Sequence, residues 1–161
     1  MPATYEPIST QTVSGTSTST VTFSSIPQTY TDLVLVSAIT QSADVSNYLR
    51  FNSDTGTNYS RTRLVGTGSS ATSARGTNDV GIEFYFGTLT NLGNTIWQIN
   101  NYSNTTTYKT ALGRINNTFD WLGASVGLWR STAAITTVSY TVSSGYIVAG
   151  STLTLFGIKA A

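Results

Sequence analysis

Ile26-Pro27-Gln28-Thr29-Tyr30-Thr31-Asp32-Leu33-Val34-Leu35-Val36-Ser37-Ala38-Ile39 is the stretch whose reading decides the fold. Pro27 interrupts the chain, residues 29–32 turn it, and a run of apolar and β-branched residues follows. Read with a period of two, one face holds Leu33, Leu35, Ser37 and Ile39, and the other Val34, Val36 and Ala38. The run has no 3.6-residue period and is too short to cross a bilayer. Both faces are apolar, so the expected structure is a central strand of a β core, covered on both sides.

The rest of the composition agrees. Only 9% of the 161 residues are charged, against about 25% in an ordinary globular domain. Hydroxyls take over the solvent-facing role, with 21 Ser and 30 Thr. A disordered low-complexity chain is excluded by the 39% hydrophobic content and by 3 Trp, 9 Tyr and 6 Phe. The length suits one domain with its own core. A net charge of +1 with no basic run gives nucleic acid no clustered positive face to bind. Residues 1–7 lack the charged and apolar regions of a secretory signal, and no later stretch is long and apolar enough to span a membrane. The expected partners therefore include neither nucleic acid nor membrane.

Pro2 and Pro7 disfavour sheet pairing, so residues 1–7 are expected to form an extended arm that carries Tyr5 to a neighbour. Residues 8–161 are expected to form a single β-sandwich domain. Short strands are expected at Ile8 to Val13, Thr18 to Phe23, Leu33 to Ile39 and Tyr48 to Phe51. Asn58 to Val65 returns from a hairpin loop with Tyr59, Arg61 and Arg63 on one face. Gly66 to Asp79, rich in Gly, Ser and Thr, reads as the longest loop. Val80 to Phe86 turns Ile82, Phe84 and Phe86 to one side, and Thr95 to Tyr102 turns Trp97 and Ile99 inward. In Trp121 to Arg130 the apolar set Leu122, Ala124, Val126 and Leu128 is expected to face the core. The other set, Trp121, Gly123, Ser125, Gly127 and Trp129, is expected to face outward. Two further strands close the chain. No segment reads as an amphipathic helix, which makes the fold class all-β, an antiparallel β-sandwich of jelly-roll type.

The residue types for catalysis are scarce. The chain has no His and no Cys, which excludes a Ser-His-Asp triad, a Cys nucleophile and the usual zinc sets. Asp54-Thr55-Gly56 has the letters of an aspartic-protease core, but Asn52-Ser53 stand where that site needs an apolar strand, and a hairpin turn accounts for them. Neither the scattered Asp nor Glu83 has the spacing of a calcium or glycosidase site. The expectation is no enzyme, no cofactor and no metal. The remaining candidates are interface residues. Arg50, Arg61 and Arg63 around Tyr59 form a candidate docking face, since Arg and Tyr are enriched at interface hot spots. Trp121 and Trp129, with small Gly123 and Gly127 between, form a candidate subunit contact. The three Trp with the Tyr residues are also candidates for a sugar-stacking platform.

Several stretches resemble a family of small tailed-phage virion proteins whose modules also end tail-fibre-like proteins. They are Phe23-Ser24-Ser25-Ile26-Pro27 with residues 29–36, Leu49-Arg50-Phe51-Asn52 with Asp54-Thr55-Gly56, and Asn58-Tyr59-Ser60. Residues 101–110, Val126-Gly127-Leu128-Trp129-Arg130-Ser131 and residues 150–161 carry it further. The resemblance implies a non-enzymatic virion protein. Since the chain offers no shaft or attachment region, the expected role is capsid decoration or cement on the capsid surface. Its implied partners are the major capsid protein and sister subunits in a homotrimer. The other role the resemblance allows is a receptor-binding tip that recognises a host surface polysaccharide.

Overall fold

The computed structural model describes residues 4–15, 17–85, 92–118 and 121–159. They form β1 (Tyr5–Thr12), β2 (Thr20–Phe23), β3 (Asp32–Ile39), β4 (Asn47–Phe51), β5 (Tyr59–Gly66) and β6 (Ala71–Asp79). Then come β7 (Ile82–Phe84), β8 (Gly93–Asn100), β9 (Lys109–Asn117), β10 (Leu122–Trp129), β11 (Val138–Val142) and β12 (Thr152–Ile158). No helix occurs among the described residues. One sheet has eight strands in the order β1-β12-β3-β8-β9-β10-β5-β6, and the other has four, β2-β11-β4-β7. Both are antiparallel, and their inner faces close on one hydrophobic core. The chain is thus an antiparallel β-sandwich.

The apolar run that ends at Ile39 becomes β3, which lies inside the large sheet between β12 and β8. Leu33, Leu35 and Ile39 are fully buried. Ser37, the polar member of that inner row, hydrogen-bonds the Thr95 hydroxyl at 2.6 Å and so enters the core satisfied. The second face is a different matter. On it Val34 is 7% exposed but Val36 is 37% exposed, so the expected cover on both sides is only partial within one subunit.

Alternation reads correctly in several other strands. Leu49, Phe51, Ile82, Phe84, Trp97 and Ile99 are all fully buried. Phe86 lies outside the described residues. In the small sheet the outward positions are polar, and cross-strand hydroxyl pairs cover it: Thr20 with Thr141 at 3.2 Å, and Thr22 with Ser139 at 3.1 Å.

Three expectations are corrected. Tyr5, Glu6 and Pro7 are not a free arm. They pair with Ile158, Gly157 and Phe156 at the edge of the large sheet, where a missing N–H is tolerated, and the register shifts between Pro7 and Ser9. Glu6 is held there by Lys159 (2.7 Å) and the Tyr30 hydroxyl (3.3 Å); residues 1–3 lie outside the described part. Residues 71–79 are not loop but strand β6, paired with β5 except at a bulge at Asn78. The faces of β10 are the reverse of the expectation. Gly123, Ser125, Gly127 and Trp129 face the core, while Leu122 (65% exposed) and Val126 (51%) face out. Bulky side chains explain the inversion. A Cβ on Gly127 would lie 2.4 Å from Ile82, and one on Gly123 would lie 3.1 Å from the Trp121 ring. On β9, a Cβ on Gly113 would lie 2.6 Å from the Trp97 ring. The inner face of β9–β10 is small because large side chains lie flat on it.

Candidate binding face

Strand register places the outward residues of the large sheet in rows. One row runs Thr154, Val36, Ile96, Arg114, Ala124 and Leu64 across β12, β3, β8, β9, β10 and β5. The next runs Phe156, Val34, Gln98, Leu112, Val126 and Thr62. Leu122 extends the aliphatic surface beyond the first row. Val36, Leu64, Ile96, Leu112, Leu122 and Val126 are all exposed. Monomers seldom leave so many aliphatic side chains together in water, and such patches mark interaction sites.

Two hollows indent this face. One, of about 800 Å³, lies over β9, β10, β5 and β6, with Leu64, Ala71, Ile115, Leu122 and Ala124 in its lining and Arg114 at its side. The other, of about 300 Å³, is formed by Tyr5, Val34, Ile96, Gln98, Leu112 and Arg114. Tyr5 is 56% exposed and belongs to the face, so this candidate interface residue sits where an interface can use it.

The other candidates are not brought together as a surface. Tyr59 is fully buried, and its hydroxyl accepts from Phe51 N (3.0 Å) and donates to the Phe51 carbonyl (3.3 Å). Burial pushes its phenol far above the ordinary range, with only partial relief from the Phe51 backbone. Arg61 is spent internally on an ion-pair set with Asp79 and Glu83, which ties β5 to the small sheet. Gly76 is required opposite it, because a Cβ there would collide with the guanidinium. Arg50 belongs to the small sheet, where Nε donates to the Val80 carbonyl (2.7 Å) and the guanidinium lies over the Tyr48 ring. Arg63 is half-buried near Tyr85, whose phenol burial and Asp44 push up to about 12. The expected Arg–Tyr docking face is therefore replaced by internal contacts.

The tryptophans are also internal. Trp129, 3% exposed, packs on Phe51 (5.7 Å) and stacks on Tyr59 (6.2 Å between ring centres). Trp97 is fully buried against Phe84. Trp121 is half-buried, edge-on to Tyr85. The covering sheet comes from the same subunit, so Trp121 and Trp129 do not form the expected outward subunit contact, and the sugar-stacking platform is not assembled. The sequence did hold a signal for the true arrangement. Gly123 and Gly127 alternate with aliphatics, and only glycine lets a neighbouring ring or side chain lie on the strand.

Asp54 closes a turn. Its carboxylate accepts from Gly56 N (2.8 Å), Asn58 Nδ2 (2.9 Å) and Trp129 Nε1 (2.7 Å). Partial burial raises its pKa, but these three donors outweigh that and hold it below the ordinary 3.8. The depressed folded value means that Asp54 contributes stability above 3.8, which is lost as pH falls through its folded value. Melting curves taken from about pH 5 to about pH 2 should show this loss, and Asp54→Asn should flatten that acid dependence. An unchanged acid slope in the variant would contradict it.

Lys109, fully buried beside Trp129, donates to the carbonyls of Thr107 (2.8 Å) and Thr132 (3.2 Å), and burial draws its pKa down. It fastens two loops and has no access to a substrate. The exposed feature with binding chemistry is thus the aliphatic sheet face. No protein-family model matches the chain, and no curated protein matches it.

Proposed function

We propose that this chain is a non-enzymatic structural protein of a bacteriophage virion, a capsid decoration or cement protein. It docks its open aliphatic face on the major capsid protein and stabilises the shell. The observation that carries this reading is the contrast between the two outer faces of the sandwich. The outer side of the four-stranded sheet carries hydroxyls, the exposed Thr20–Thr141 pair and Thr22 over a buried Ser139, whereas the eight-stranded sheet presents Val36, Leu64, Ile96, Leu112, Leu122 and Val126. A protein with one wet face and one apolar face is suited to lie on a larger surface.

Two further points support it. The resemblance of residues 23–36, 49–60, 101–110, 126–131 and 150–161 is to virion proteins. Setting aside the hairpins β5–β6 and β9–β10, the strands run β1-β12-β3-β8 against β2-β11-β4-β7. We read that order as a jelly roll, an architecture that recurs in viral capsid and lectin domains. The two extra hairpins then carry most of the aliphatic face. Stabilisation follows from mass action, since a ligand that binds only the assembled shell favours that state. The test is to add the protein to phage shells that lack it and follow release of DNA on heating. Release should move to higher temperature as the protein saturates the shell; unchanged release at saturation would overturn the proposal.

A further inference from the structure

A sandwich made of open sheets has four edges, and three of them here are protected. β2 has four residues and β7 has three, too short to template another strand. β1 carries Pro7, and its register shifts between Pro7 and Ser9, two devices that spoil edge pairing. The fourth edge, β6, has nine residues, Ala71–Asp79, with no Pro and no Lys. Its bulge falls at Asn78, near the end of the strand, so residues 71–77 run in regular register, with Arg75 their one charge. It pairs with β5 on one side, and among the described residues no strand pairs with its other side.

β6 is also unusual in having little to do for its own subunit. Along Ala71–Asp79 every residue is exposed except Gly76 and Asp79, which serve Arg61. A strand with no buried face gains little from hydrophobic packing, and a row of unpaired donors and acceptors invites another strand. We infer that β6 is the edge on which a second copy of this chain adds, strand to strand and antiparallel, about a two-fold axis. The partner strand must itself have a long open edge, and among the described residues β6 is the one that does. Small side chains (Ala71, Ser73, Ala74, Gly76) let two such edges approach closely. A register centred on Arg75 would set like charges opposite each other. Centring it on Ala74 keeps residues 71–77 paired and sets Arg75 opposite Ser73. The hollow bordered by Ala71, Leu64 and Leu122 then continues across the joint. Two-fold pairing departs from the three-fold association implied by the resemblance, and it does not depend on shell binding.

The chain has no cysteine, which makes the test direct. Single Ala74→Cys, Ser73→Cys and Thr77→Cys variants of the full chain are oxidised and compared with Thr22→Cys on the exposed face of the small sheet. Ala74→Cys is expected to give a disulfide-linked dimer far faster than Thr22→Cys, and Ser73→Cys is expected to cross-link efficiently with Arg75→Cys in a mixed sample. In sedimentation velocity the parent should run as a dimer, and Ala74→Pro, with its β-rich circular dichroism retained, should run as a monomer. Cross-linking no faster than at Thr22, or a folded Ala74→Pro that keeps the parent's oligomeric state, would overturn the inference. A trimer dissociated by Leu112→Glu but not by Ala74→Pro would do the same.

Discussion

Replacing Trp129 with Ser is expected to destabilise the subunit by about 3–5 kcal/mol, the usual cost of removing a large buried aromatic. The ring fills the space between Phe51 and Tyr59, and both of these rings are themselves fully buried. The loss has a second part. Trp129 Nε1 is one of three donors to the Asp54 carboxylate, so the turn at residues 52–58 loosens when it goes. For a domain of this size the melting temperature should fall by roughly 10 °C or more. Oligomeric state, read by sedimentation below the transition, should not change, because Trp129 faces away from the open sheet face. A variant with the parent's melting temperature but a smaller assembly would place Trp129 at a subunit contact and contradict its burial in the core.

The second large effect is expected from Gly113→Val. In an ordinary strand this change is favourable, since Gly is among the weakest strand residues and Val among the best. At position 113 the space is already taken. A Cβ would lie 2.6 Å from the Trp97 ring, which is fully buried and backed by Phe84 at 5.1 Å. The ring cannot retreat without moving the small sheet, so overpacking decides the sign, at about 3 kcal/mol. Chemical denaturation should show the midpoint falling with an unchanged slope. A stabilised variant would mean that Trp97 does not lie on β9. The next residue, Arg114, is on the opposite, exposed face of the strand and offers a control: Arg114→Val should leave stability nearly unchanged.

The core was legible wherever period-two alternation set a large apolar residue against a polar one. Leu49 and Phe51 around Arg50, and Trp97 and Ile99 around Gln98, are of this kind. It was misleading in β10, where both faces are uncharged. Hydrophobicity ranks Leu122 and Val126 above Gly123 and Gly127, yet the small residues face inward. Gly127 admits Ile82 of β7, and Gly123 admits the ring of Trp121, the residue just before the strand. The first requirement comes from the opposing layer and leaves only an indirect trace in the strand itself. β6 was illegible because neither of its faces is buried, so no alternation exists to be read. The binding face was half legible. The double-sided apolar character of Leu33 to Ile39 was plain, but the sequence did not say that Val36 and its neighbours stay open within the subunit. Of the interface candidates, Tyr5 remains on an exposed surface, whereas Tyr59 and Trp129 were drawn inward by aromatic stacking.

The central claim is that the aliphatic face of the eight-stranded sheet is a docking surface. It is tested most directly by a double variant, Leu112→Glu with Val126→Glu. The two residues are cross-strand neighbours in the middle of the face, 46% and 51% exposed. Circular dichroism and melting temperature should stay close to those of the parent, because no core contact is removed. Affinity for phage shells lacking the protein should fall on the order of 100-fold or more, since each buried aliphatic side chain contributes about 1.5–3 kcal/mol. A folded double variant that binds the shells as tightly as the parent would contradict the account.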